Sequence, residues 1–300
     1  TRGYARSLEA PPEGVVSRGT TRSAVSRRFV ALTQKRLEEW LATDIGELDL
    51  AAVMIDGLYI QEHLVLVALG VDESGTKHVL GLWEGATESA EVCIALLSDL
   101  IERGLDPHRS LLFVIDGSKA LRKAIREVFG KRALVQRCQQ HKSRNVLGHL
   151  PKSLHRSVSK SLRDAWKSPK KSTAKRRLQK LAAALEADHP GAARSLREGL
   201  DETLTIKEWK LPPALERTLS TTNPIENLND QIRRVTRRVK RWRDGQMVLR
   251  WTSAALLEAE KGFHRLKGHK GMPTLVAALR RNDAQLDGDD SAVDGQKEAA

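Results

Sequence analysis

Three acidic residues stand where phosphodiester chemistry would use them. Asp56 and Asp116 each follow a wholly apolar run, Ala51–Ile55 and Leu111–Ile115, and each is followed by a glycine. Glu226 lies in Asn223-Pro224-Ile225-Glu226, ahead of a strongly basic segment. Phosphodiester transfer uses two divalent ions about 4 Å apart, one activating the attacking oxygen and one stabilising the leaving oxygen. Magnesium takes hard oxygen ligands and keeps several waters, so a few carboxylates suffice, with manganese as a substitute. An acid directly after a buried strand is held in place by that strand. Two such acids on neighbouring strands can share one ion, and a third arriving on a helix completes a second site. Each acid alone also has a plainer use. Asp-Gly after a strand makes a turn; Asn223 as N-cap, Pro224 at N1 and Glu226 at N3 make a capping box. The combination points to metal-dependent chemistry at Asp56, Asp116 and Glu226.

Cys138 and His141 form Cys-x-x-His, which is half of a zinc site. No matching second pair accompanies it, so a structural zinc is not expected. Two readings stay open: a packing cysteine with a hydrogen-bonded histidine, or a pair beside the active centre. Neither Cys93 nor Cys138 has the setting of a nucleophile. Two cysteines make no disulfide framework, which suits a reducing cytosol.

The elements that must position these residues follow from periodicity. A helix is expected from about Thr20, capped by Ser23, with Val25, Phe29 and Leu32 on one face. It could be a recognition helix or a plain amphipathic one. Strands are expected at Ala51–Ile55, His63–Leu69 and Lys77–Glu84, then a helix over Thr87–Arg103. A strand at Leu111–Ile115, a helix at Ser118–Phe129 and a strand near Ala133–Val135 complete the series. This order predicts an α/β fold with a mixed five-stranded sheet and flanking helices. In the ribonuclease-H-like arrangement of that order, the first and fourth strands are parallel neighbours, so Asp56 and Asp116 meet at one sheet edge. From Asn145 to about Leu219 strand patterns stop, and an all-helical insertion is expected. A long helix then runs from Pro224 to Trp242, with Ile225, Leu228, Ile232, Val235, Val239 and Trp242 as its buried stripe. The chain divides accordingly into a linker and possible DNA-binding remnant (1–45), a first catalytic part (46–144), the insertion (145–219), C-terminal catalytic helices (220–280) and an acidic, disordered tail (281–300).

Charge supplies the partner. The 300-residue chain carries a net +13, a surplus that suits a polyanion, since basic side chains release counterions condensed on phosphates. Fourteen Lys or Arg against one acid lie between Arg137 and Lys180, and seven more with no acid between Arg233 and Arg243. Within these runs Arg137, Lys142, Arg144, Arg233, Arg234, Arg237 and Arg238 are expected to contact DNA phosphates. Trp166, Trp209 and Trp242 suit either base stacking or a core, and Trp242 continues the buried stripe. No apolar run approaches the roughly 18 residues of a membrane span, and no signal-peptide layout opens the chain.

Ala52-Val53-Met54-Ile55-Asp56-Gly57, together with Leu112–Leu121 around Asp116, Val135–Val146 around Cys138 and His141, and Thr221–Asn229 around Glu226, resembles the Mutator-type transposases of bacterial insertion sequences, the IS256 family. The resemblance extends from about Tyr4 to Ala278. It implies a transposase with a ribonuclease-H-like core, interrupted by an all-helical insertion before the glutamate. Asp56, Asp116 and Glu226 match that family's catalytic triad of two aspartates and a glutamate (DDE), and Cys138 with His141 match its Cys-x-x-His. The separations are 60 and 110 residues, the second long enough to hold the insertion. The implied activity is Mg²⁺-dependent nicking and 3′-hydroxyl strand transfer on double-stranded DNA, at terminal inverted repeats and target, by a cytoplasmic, nucleoid-associated homodimer. Family members carry a DNA-end-binding region N-terminal to this core, of which the helix near Ser23 is the part expected here. Rival expectations are another ribonuclease-H-like nuclease or resolvase, and a DNA-binding relic without chemistry.

Overall fold

A computed structural model of the chain describes residues 21–297. The expected linker before Thr20 lies outside the described residues. Helix α1 (Arg22–Leu41) is capped by Thr21, whose hydroxyl accepts from the Ala24 N–H. Thr21 takes the cap expected of Ser23 because it is the last residue with extended backbone before the helix. Phe29 and Leu32 are exposed, at 42% and 55%. Phe29 stacks obliquely on Trp251 at 5.4 Å between ring centroids.

The sheet contains β1 (Leu50–Ile60), β2 (His63–Asp72), β3 (Lys77–Gly85), β4 (Leu111–Ile115) and β5 (Ala133–Arg137), in the order β3-β2-β1-β4-β5. The first three strands pair antiparallel as a meander, and β4 and β5 join in parallel beside β1. The crossovers are α2 (Ala90–Glu102) and α3 (Lys119–Phe129). This is the expected mixed five-stranded sheet of the α/β class. Alternation along the strands divides the core in two. Ala52 and Met54 of β1, Val65, Val67 and Leu69 of β2, and Leu112 and Val114 of β4 face one apolar cluster. Val53, Ile55, Leu64, Leu66, Phe113 and Ile115 face the other, where the leucines of α2 and the inner face of α3 pack.

Past β5 come α4 (Gln139–Leu147), α5 (Lys152–Trp166), α6 (Lys171–Leu185), α7 (Pro190–Arg197), a 3-10 stretch (Asp201–Trp209) and α8 (Pro213–Leu219). All but α8 contribute to a third cluster that includes Val158, Leu162, Trp166, Leu178 and Leu196, while Leu215 and Leu219 of α8 join the first. Trp166 is a core residue, its indole N–H donating to the Thr203 hydroxyl at 3.2 Å. Helix α9 (Asn223–Thr236) then lays Ile225, Leu228 and Ile232 on the first cluster, joined by α10 (Gly245–Glu260) and α11 (Met272–Lys297).

Two expected elements end elsewhere. The helix carrying Glu226 stops at Thr236 instead of continuing to Trp242. Arg233/Arg237 and Arg234/Arg238 would be like-charged pairs four residues apart in a continued helix. The Thr236 hydroxyl also turns back to the Ile232 carbonyl at 3.0 Å. At the C-terminus, the expected disordered tail is instead helical through Lys297. Asp283 accepts from the Ser110 N–H at 2.7 Å and pairs with Arg132 at 3.0 Å, and Asp287 pairs with the same guanidinium. Acids that looked surplus in sequence have distant partners.

Candidate active site

The parallel register of β1 and β4 pairs Ala52 with Leu112, Val53 with Phe113 and Met54 with Val114. The offset is constant at 60 (112 minus 52), and the same offset carries Asp56 level with Asp116 (116 minus 56). Neighbouring strands lie about 4.8 Å apart, so acids at matching positions are close by construction. Asp56 is not a turn residue: β1 runs on through Gly57 to Ile60. Alternation gives Asp56 the same face as Met54, and α9 covers that face. There the Asn229 amide donates to Asp56 Oδ2 at 2.8 Å. Asp116 does leave its strand. Its Oδ1 accepts from the Ser118 N–H at 2.8 Å, and Gly117 turns at φ +112. Any side chain at 117 would also strike the Arg137 guanidinium, so a glycine is required on both counts.

Glu226 reaches the same region from the first turn of α9. Thr222, and not Asn223, is the N-cap, and it makes no side-chain cap bond. The capping box suggested by the sequence is therefore absent. Glu226 instead accepts from the Thr222 hydroxyl at 2.7 Å and lies 3.7 Å from His141 Nδ1. Each of the three acids thus has one orienting donor: Asn229 for Asp56, the Ser118 amide for Asp116, Thr222 for Glu226.

Electrostatics ties the three together. Burial pushes the Asp56 carboxyl up to about 6, and the charges of Asp116 and, more weakly, Glu226 push in the same direction. The Asn229 hydrogen bond and His141 oppose this without cancelling it. Asn229 is fully buried, and its Oδ1 has no partner. Half-buried carboxylates grouped around one whose pKa is raised, beside an unpaired buried oxygen, are a donor set that fits a divalent cation. The donors are all oxygen, which fits magnesium or manganese.

Cys138 and His141 border this cluster. The Cys138 backbone N–H bonds the Ile115 carbonyl at 2.7 Å, anchoring it beside the end of β4. Burial opposes ionisation of the Cys138 thiol, yet hydrogen bonds from His141 and Thr222 hold it below the ordinary thiol value. His141 is raised, chiefly by its bond to Cys138 and against its own burial. The pair has features of both open readings: a buried cysteine hydrogen-bonded to its histidine, set next to Glu226. Cys93 is the inert one: burial, then the charges of Glu88 and Asp116, push it to about 12.

The seven expected phosphate contacts separate into two groups. Arg137 and Lys142 are interior, 3% and 0% exposed. Lys142 Nζ caps the end of α7 through the Ser195 carbonyl at 2.6 Å, and Arg137 pairs with Glu198 at 3.2 Å. This corrects their assignment as surface contacts: the absence of nearby acids in sequence concealed an acid brought in by the fold. Lys171 and Lys175 likewise find Glu208 and Asp201. Arg144, Arg233, Arg234, Arg237 and Arg238 are exposed, with Arg144 at 3.3 Å from His141 Nε2 and Arg233 paired to Asp230. Beside Asp116 lies an open cavity of about 520 Å³ lined by Glu88, Ser118, Lys119, His141 and Asn145. Sequence reasoning missed Asn229, Thr222, Glu88 and Lys119. Asn229 had a signal: it stands three residues after Glu226, on the same helix face. Glu88, in a loop, had none.

Comparison with known proteins adds an independent line. The family model described as "Transposase, Mutator family" matches residues 5–265. A probable transposase for an insertion sequence element from Corynebacterium diphtheriae is 28% identical over 268 residues, covering 88% of this chain and 75% of the relative. The transposase for insertion sequence element IS6120 from Mycolicibacterium smegmatis is 31% identical over 228 residues, 74% of this chain and 69% of its own. The transposase for IS256 in transposon Tn4001 from Staphylococcus aureus is 28% identical over 225 residues, 70% of this chain and 56% of its own.

Proposed function

The chain belongs to the Mutator family of transposases, which includes the IS256 enzyme, and from that premise we propose that it nicks DNA at insertion-sequence ends and transfers the freed 3′-hydroxyl to a target phosphodiester. Its sheet is taken as ribonuclease-H-like, with the helices between Gln139 and Leu219 as an insertion ahead of Glu226. What supports the chemistry is the β1/β4 register, which sets Asp56 beside Asp116, with Glu226 near enough to shift the Asp56 carboxyl.

Asp56 and Asp116 would share one Mg²⁺, and Glu226 with either aspartate would hold the other. When bound, such a pair activates the attacking oxygen and stabilises the leaving one. The chain's own residues do the positioning. Asn229 fixes one Asp56 oxygen, the Ser118 amide fixes one Asp116 oxygen, and Thr222 fixes one Glu226 oxygen. Exposed Arg144, Arg234, Arg237 and Arg238 would hold double-stranded DNA by its phosphates. Among the described residues no helix is long and apolar enough to cross a membrane. A homodimer would bring two such centres to two DNA ends.

The test is a nicking assay on DNA carrying an element end, with Asp116→Asn. Cleavage with Mg²⁺ should fall by on the order of 10³-fold or more while the thermal midpoint holds. Undiminished metal-dependent cleavage by the variant would overturn the assignment.

A further inference from the structure

We propose that Cys138, His141 and Glu226 form a second cation site, selective for a thiolate-seeking divalent ion such as zinc and exclusive with use of Glu226 by magnesium. The exclusivity rests on Glu226 belonging to the carboxylate set above; the site itself does not.

Cys-x-x-His alone is half a zinc site, and the fold supplies a third donor from a different element. One ligand atom from each of Cys138, His141 and Glu226 lies within 4.8 Å of the others. Zinc–sulfur bonds of about 2.3 Å and zinc–nitrogen bonds of about 2.0 Å set tetrahedral donors roughly 3.5 Å apart. His141 Nδ1 and Glu226 Oε1 are already at 3.7 Å. The remaining contraction is about 1 Å, within reach of side chains that are 25% and 27% exposed. Cys138 is the fixed donor. It is fully buried, and the backbone around it bonds the Ile115 and Ser220 carbonyls. The Thr222 hydroxyl touches all three groups, at 3.4 Å from Cys138 Sγ, 3.3 Å from His141 Nδ1 and 2.7 Å from Glu226. The three donors therefore already address one common space. Arg144, which approaches His141 Nε2, is exposed and free to turn away.

Ligand type decides the ion. One sulfur, one imidazole nitrogen and one carboxylate oxygen select zinc over magnesium, which wants oxygen alone. Three protein donors leave a fourth position for Thr222 or water, the arrangement of an accessible site. On coordination the Cys138 thiol loses its proton to solvent. Glu226 cannot then serve the aspartates, so zinc at this site blocks the proposed reaction.

Cobalt(II) is the probe, because thiolate ligation gives a near-ultraviolet charge-transfer band and tetrahedral geometry gives intense visible bands. The metal-free full chain, titrated with one equivalent, should show both, as should Cys93→Ser and Asp116→Asn. Cys138→Ser should lose the charge-transfer band. His141→Ala, at a partly exposed position that tolerates truncation, should weaken cobalt binding by more than the roughly 10–100-fold cost of an outer-sphere partner. Only weak, octahedral cobalt absorption in the parent would overturn the site. So would loss of the band in Cys93→Ser or Asp116→Asn. Equimolar zinc should suppress Mg²⁺-dependent nicking by the parent at least tenfold more than by Cys138→Ser; equal suppression overturns the exclusivity. If no nicking occurs in any form, the proposed function fails, while the cobalt spectrum still decides the site.

Discussion

Asp56 shows how a candidate active site is set against folding. Its carboxyl lies at about 6 in the folded chain, against 3.8 for the free group, with burial the main cause. Between those values the folded form holds more protons than the unfolded form. Stability from this group is therefore full below about pH 4 and lost as pH rises through 6. Two pKa units correspond to roughly 3 kcal/mol. Metal-free Asp56→Asn should then unfold at a higher temperature than the parent at pH 8, with the difference closing by pH 4. Mg²⁺ should raise the midpoint of the parent but not of the variant. Equal midpoints at pH 8 would contradict the burial argument. Asn229 belongs to the same scale. Asn229→Leu keeps the branched shape, removes the donor to Asp56 and abolishes an unpaired buried oxygen. It should weaken Mn²⁺ binding by about 10–100-fold while shifting stability by less than ~1.5 kcal/mol.

At the scale of elements, the end of α7 is held by buried cations. Lys142 from α4 bonds the Ser195 and Glu198 carbonyls, and Arg137 from β5 bonds the Glu198 carbonyl and carboxylate. Cations at a helix C-terminus answer its unpaired carbonyls. Lys142→Met should cost about 1–3 kcal/mol, because it strands the Ser195 carbonyl and leaves Glu198 to Arg137 alone, and denaturant midpoints will report it. The same positions show where sequence reasoning works and where it stops. Strands β1 to β5 were legible because both faces of the sheet are covered, so apolar runs mark them plainly. The aspartates were legible because each ends or interrupts such a run. Lys142 looked like a phosphate contact because its partner Glu198 is 56 residues away. The extent of β1 past Asp56 was hidden because Asp-Gly is also a turn signal. The close of α9 at Thr236 was hidden because apolar spacing persists to Trp242 even though like charges disfavour a continued helix.

At the scale of the whole molecule, a net +13 suits a polyanion such as DNA, but position determines which basic side chains can reach it. The cavity beside Asp116 and a second one between α4 and α7 both include Lys119 and Asn145, so they form one trough. Arg144, His149 and Arg194 continue it away from the carboxylates. The one acid in its far half, Glu198, is already neutralised by Arg137 and Lys142. A trough of this charge, opening on the acids, suits the phosphates of a strand entering the centre. Lys119→Ala and Arg194→Ala should each lower the slope of log affinity against log salt by about one. They should weaken binding equally on element-end and random DNA, because phosphate contacts carry no sequence. Arg137→Ala, though it removes the same charge, should leave the slope unchanged and lower only the thermal midpoint, since its guanidinium never meets solvent. An unchanged slope in the trough variants would move the strand to the exposed arginines after α9. A slope change in Arg137→Ala would show that the interior opens when DNA binds.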